Sequence, residues 1–198
     1  PAGARLGVAL VIAFLPAAVA GLLFDEPIER VLFGPWPVVA AWLIGGLAIL
    51  LLARRGSERG PAGAPPLELP DLLPSRALLI GLAQVLALWP GTSRSLVTIL
   101  AAGLVGLSLP ASIEFSFLLG LLTLGAATGY KLLQHGGEML AVYGAGSLLA
   151  GFVAACVAAL IAVRWMVGYL ARHDLRLFAW WRIVAAAVVA GLLWAKVL

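Results

Sequence analysis

The chain has 198 residues, of which 63% are hydrophobic and only 11% charged, where a soluble domain carries about a quarter charged residues. Its net charge is +4, with the basic residues gathered in short loops between apolar stretches, a membrane-orientation pattern and not a nucleic-acid one. One cysteine and two histidines exclude an internal disulfide and a cysteine metal site, and His135 and His173 lie too far apart in sequence, each in a loop, to suggest a histidine site. What remains is an all-α polytopic membrane protein, a single integral membrane domain over residues 1–198 with a mean hydropathy of +1.09.

Residues 6–24 are apolar and long enough to cross a bilayer, which takes about 20 helical residues; Pro16 predicts a kink there. Asp25, Glu26, Pro27, Ile28, Glu29 and Arg30 read as a short polar loop, and residues 37–53 as a second span. Residues 54–75 carry Gly56, Gly60, Pro61, Gly63, Pro65, Pro66, Pro70 and Pro74, the composition of an extended or mobile cytoplasmic linker. Residues 76–107 are unusual. Two apolar arms, each too short to span, flank Trp89, Pro90, Gly91, Thr92, Ser93, Arg94 and Ser95, and Pro90-Gly91 breaks the helix between them. The pattern predicts a re-entrant helix–loop–helix hairpin. Residues 111–130 form a third span with Glu114 near its start, and residues 139–163 a fourth, in which Cys156 reads as a small core residue. Thr123 and Thr128 are expected to bond back to their own helix. The basic segment 164–182 carries Trp180 and Trp181, suited to a membrane interface, and residues 183–198 form a final span, extended upstream as far as 179. The expected total is about five spans plus the hairpin.

Loop charge supports the hairpin. If residues 76–107 enter and leave on one side, Arg5, Arg54, Arg55, Arg59, Arg76, Arg164, Arg172, Arg176 and Arg182 share one face, and Arg30, Lys131 and Lys196 the other. A single crossing would nearly abolish that bias. The basic face is then cytoplasmic, with residue 1 inside and residue 198 outside.

The polar run carries the chemistry. An arginine and three hydroxyls at membrane depth are costly unless they line a site. A helix restarting near Ser93 or Ser95 offers unpaired N–H donors and a partial positive charge, a ready anion site. Arg94 adds a planar fork that matches two phosphate oxygens, and Thr92, Ser93 and Ser95 add neutral donors. Such a set suits a diphosphate and the charge that develops on a transferred phosphoryl group, with an apolar groove taking a lipid tail. Gln84 is placed to orient the loop or to bond a phosphate, Thr98 to support it, and Glu114 is a functional candidate by depth. Two other readings stay open on the residues alone: a transporter, since broken helices also hold transported anions, and a structural protein in which Arg94 only pairs with Glu114.

The block Gly81, Leu82, Ala83, Gln84, then Ala87 through Ser95, followed by Glu114, Phe115, Ser116, Phe117, Leu118 and Leu119, resembles the bacterial undecaprenyl-diphosphate phosphatase family, the bacitracin-resistance proteins. Pro16-Ala17 to Phe24 and Trp181-Arg182-Ile183 extend the likeness through nearly the whole chain. The resemblance implies hydrolysis of undecaprenyl diphosphate to undecaprenyl phosphate and phosphate, which recycles the lipid carrier for cell-wall synthesis. It also implies two interlocked inverted repeats, each with a re-entrant hairpin, in the bacterial inner membrane, with the site open to the outer side. Arg94 and Ser93 would be its catalytic residues here, and Gly91, Thr92, Ser95 and Gln84 would bind substrate. A divalent cation is implied too, with no ligand for it identifiable in this chain. The partners expected are a polyprenyl diphosphate and membrane lipids, with a homodimer as the expected assembly. Two departures stand out. The family's other hairpin, with two glutamates four apart and a Pro-x-Ser-Ser, has no counterpart here, so the chain is expected to be a piece holding the phosphate-binding half of the site and to be inactive alone. Leu96 stands where the family has glycine. The runner-up function is a lipid-phosphate transporter or flippase using the hairpin as an anion site.

Overall fold

A computed structural model describes residues 2–53, 65–170, 173 and 175–196. Six α-helices follow one another: α1 (Ala2–Leu32), α2 (Pro35–Ala53), α3 (Pro74–Gln84), α4 (Arg94–Leu104), α5 (Leu109–Leu170) and α6 (Arg176–Trp194). Among the described residues there is no strand beyond an isolated parallel bridge between Leu67 and Leu107. Three stretches are long and apolar enough to cross a membrane: Gly3–Phe24, Leu109–Tyr169 and Arg176–Trp194. A fourth candidate is the pair Glu26–Leu32 and Pro35–Leu51, bent by 87°.

Several expectations are corrected. The α1 backbone leaves helical geometry at Phe24 (φ −121°, ψ 17°) and not at Pro16. The polar segment after it is a short helix instead of a loop, because Pro27 sits near its start, where a missing N–H costs nothing. The spans expected at 111–130 and 139–163 belong to one helical element. The connecting residues 131–138 contain no proline, so nothing there stops the helix; the dihedral break comes later, at Gly144 (φ 71°). His135 is therefore helical, where it meets Glu138 at 3.4 Å one turn on. Cys156 is exposed, not core. The last helix begins at Arg176, so Arg182 lies inside it and not in a basic loop.

The chain divides into two compact units, residues 1–122 with 174–198, and Thr123–His173. The second is exposed along almost its whole length and includes apolar side chains such as Leu133, Phe152 and Ile161. The first holds the core, where α1 packs on α3, α3 on α4 and α2 on α6. Its larger apolar cluster joins Ala9 and Ala13 of α1, Ala77 and Ile80 of α3, Ala102 of α4 and Phe115 and Leu119 of α5. Small residues set these approaches. A Cβ at Gly81 would strike the backbone of Ala13, and one at Gly46 would come within 2.7 Å of Ile183 Cγ1.

Residues 54–64 of the expected linker, with Arg54, Arg55 and Arg59, lie outside the described residues, as does Arg172. The end of the linker is pinned: the Leu67 N–H donates to Gly106 O at 2.8 Å and the Ser108 N–H to Leu67 O at 2.9 Å. Arg76 Nη1 donates to Val105 O at 2.9 Å. Both ends of the 76–107 segment therefore meet, and its two arms run back along each other from a tip at residues 89–93.

Candidate functional site: the tip of the α3–α4 hairpin

After α3, a 3₁₀ turn (Val85–Leu88) tightens the chain, and the Thr92 N–H closes a turn onto Trp89 O at 3.1 Å. Gly91 adopts φ +88°, and a side chain there would press on Val38 of α2 at 3.1 Å, so glycine is required twice over. Ser93 follows at φ 68°, ψ 103°, a region in which a residue with a Cβ costs on the order of 1–3 kcal/mol. That geometry lets Ser93 cap α4, its hydroxyl accepting from the Leu96 N–H at 3.4 Å. The N–H groups of Ser93, Arg94 and Ser95 have no protein partner among the described residues. The start of α4 thus presents free donors at the positive end of a helix dipole.

Arg94 is the first residue of α4 and half-buried. Its Nη1 donates to Ser116 O of α5 at 3.3 Å, and its guanidinium lies over Gly120, where a Cβ would fall 2.7 Å from Cζ. Nε and Nη2 carry no protein partner among the described residues. Beneath Arg94, the buried Thr98 hydroxyl pairs with the buried Ser116 hydroxyl at 2.6 Å. Thr98 also lies 3.0 Å from Arg94 O and 3.2 Å from Ser95 O, and Ser116 lies 3.4 Å from Ser95 O. Thr98 and Ser116 therefore tie the first turn of α4 to α5 and leave Arg94 standing on a fixed base.

The geometry sorts the remaining candidates. Gly91, Thr92, Ser93, Arg94, Ser95 and Thr98 are brought together. Gln84 is buried, but among the described residues neither atom of its amide has a partner; the same holds for the hydroxyls of Thr92 and Ser112 and for Arg182 Nε. Glu114 is exposed and forms no ion pair with Arg94, so the structural reading in which the two only pair with each other is not what the chain does. An apolar cavity of about 390 Å³ opens beside the tip, lined by Phe24, Ile28, Val31, Leu86, Leu88 and Trp89 among others.

Sequence reasoning missed Arg182. It was counted with the basic face that includes Arg76, yet Arg76 sits at the base of the hairpin and Arg182 at its tip. Arg182 Nη2 lies 2.7 Å from Gly91 O, 3.2 Å from Thr92 O and 3.1 Å from Ala41 O of α2. The available signal was Gly45-Gly46 inside an apolar helix, where glycine is unfavourable by about 1 kcal/mol unless something must come close. A Cβ at Gly45 would lie 2.6 Å from Arg182 Nη2.

The sequence profile described as bacitracin resistance protein BacA matches residues 1–188. The chain belongs to this family. It is 45% identical over 193 residues to the undecaprenyl-diphosphatase of Sorangium cellulosum, covering 97% of this chain and 62% of that protein. It is 44% identical over 195 residues to undecaprenyl-diphosphatase 1 of Chromobacterium violaceum, covering 98% and 70%, and 44% identical over 185 residues to the undecaprenyl-diphosphatase of Nitrosomonas europaea, covering 93% and 66%. The chain thus spans 62% of the first of these relatives and 66% of the last. Within the bacitracin-resistance frame, Leu96 acquires a structural reason. Its side chain is buried with Ile49 of α2 and Ala179 of α6, filling the apolar seam between them.

Proposed function

We propose that this chain forms the phosphate-holding part of an undecaprenyl-diphosphate phosphatase, which releases inorganic phosphate and regenerates undecaprenyl phosphate for cell-wall synthesis. The observation that carries this reading is the pairing of unused donors: Arg94 Nε and Nη2 stand beside the unpartnered N–H groups that open α4. A preorganised set of this kind stabilises charge developing on a transferred phosphoryl group. The names of the similar proteins support the same substrate, and the apolar cavity beside Trp89 offers room for part of a prenyl tail.

In this reading the hairpin is re-entrant and the site faces the outer side of the bacterial inner membrane. Arg94 holds the terminal phosphate, Ser93 and Thr92 line its pocket, and Ser95 completes the first turn. The nucleophile and the acid/base group come from outside this chain, which alone is inactive, because it contains no counterpart of the family's glutamate pair and Ser-Ser. Among the described residues no three His, Cys, Asp or Glu side chains gather where they could hold a metal ion.

The test is phosphate release from undecaprenyl diphosphate by the intact parent protein beside Arg94→Ala. A loss of about a hundredfold or more in the variant is expected, the scale of removing an oxyanion stabiliser. Binding without any release by the unsubstituted protein would move the assignment to lipid-phosphate transport.

A further inference from the structure

We propose that Arg182 is a positioning residue for the tip loop: it holds the Gly91 and Thr92 carbonyls away from the bound phosphate and so aims the free N–H groups at it. The kinetic part of this inference rests on the phosphatase reading above; the geometric part does not.

Ser93 holds a costly positive φ of 68°, two residues after Gly91 at 88°, a conformation open to glycine; a residue strained in this way persists only when its surroundings over-determine it. Three tethers on α2 and α6 do so. Trp89 Nε1 donates to Pro37 O at 3.1 Å, Gly91 lies against Val38 and Trp42, and Arg182 Nη2 gathers the carbonyls of Gly91, Thr92 and Ala41. Arg182 alone joins three separate elements: α6, the loop and α2.

Peptide planarity turns this contact into a statement about the site. In a trans peptide the carbonyl and the following N–H point in opposite directions. With Thr92 O turned to Arg182, the Ser93 N–H faces the other way, on the side that Arg182 does not occupy. The carbonyls would otherwise stand as negative dipole ends near a diphosphate. Arg182 both turns them aside and compensates their charge. Its Nη2 is shared among three acceptors, two of them in the loop, so this nitrogen holds the loop while the buried Nε has no partner among the described residues. Gly45 is part of the device, because any side chain there would displace the guanidinium.

The experiment uses the intact protein with two variants, Arg182→Ala and Gly45→Ala; the second keeps the arginine and only pushes it. The first readout is amide hydrogen exchange over residues 92–97, where the Thr92, Leu96 and Val97 amides are hydrogen-bonded in the held loop. Both variants are expected to speed that exchange about tenfold or more, the signature of a lowered local opening cost, while exchange over residues 77–84 is unchanged. The second readout is phosphate release from undecaprenyl diphosphate. Arg182→Ala is expected to lower kcat about tenfold with KM within about threefold, and added methylguanidinium to restore part of the loss. Unchanged exchange in both variants overturns the proposal. So does a raised KM at constant kcat, which would make Arg182 a substrate contact, or a lowered melting temperature with kcat per folded molecule unchanged, which would make it a strut. If the unsubstituted protein releases no phosphate, the functional reading fails and the exchange result still decides the positioning role.

Discussion

Arg94 and Arg182 are seated in the same way and used in opposite ways. Each guanidinium lies over a helical glycine, Gly120 in α5 and Gly45 in α2, and each donates to the carbonyl one turn earlier, Ser116 O and Ala41 O. That carbonyl is the helical partner of the glycine's own N–H, so the seat is one bare stretch of helix backbone. It lets an arginine be held inside an apolar bundle without a carboxylate partner, and among the described residues neither has one. The difference is in what else each one reaches. Among the described residues Arg94 Nη1 reaches only Ser116 O of its seat, whereas Arg182 Nη2 reaches two carbonyls of the tip loop besides Ala41 O, its buried Nε being left without a partner. An arginine tied only to its own seat can take a ligand, and one that also bridges to the loop carbonyls is a clamp.

The comparison can be broken at either seat. Removing Arg94 is the largest change expected, about a hundredfold in phosphate release, against about tenfold for Arg182. Gly120→Ala should come close to the loss of Arg94 itself, since its methyl would occupy the space of the guanidinium; rate assays of the intact protein check this. An unimpaired Gly120→Ala variant would show that Arg94 works from some other position. Leu96→Ala probes the seam and not the seats. Emptying a buried leucine site costs about 2–4 kcal/mol, so a lower melting temperature with near-normal activity per folded molecule is expected. Glu114→Gln should change least, within about twofold, because an exposed carboxylate with no ion pair among the described residues contributes little.

The same contrast explains what the sequence could disclose. Arg94 was legible because Pro90, Gly91 and the hydroxyls beside it break an apolar run, and a local break is written in neighbouring residues. The restart of α4 behind Ser93 and the folding back of the two arms follow from the same local signals. Arg182 was not legible, because its partners Gly91 and Ala41 lie 91 and 141 residues away and nothing beside it in sequence marks that contact. Counting loop charge places it on the basic face by a rule that describes lone cations at a membrane surface and not one half-buried at a hairpin tip. Gly45 and Gly120 are incomplete signals for a related reason: a glycine in a helix announces that something comes close, not what comes. Element boundaries failed where propensity had no stop to offer, at residues 131–138 and after Phe24.

The most direct test of the account measures the affinity of the intact protein for a methylene-bridged undecaprenyl diphosphate analogue that cannot be hydrolysed. Arg94→Ala and Arg182→Ala are measured side by side. A charge-assisted hydrogen bond is worth about 1.5–3 kcal/mol, so Arg94→Ala should weaken binding by about tenfold or more, while Arg182→Ala stays within about threefold. Equal losses in the two variants, or none in Arg94→Ala, would contradict the division of one seat for binding and one for holding the loop.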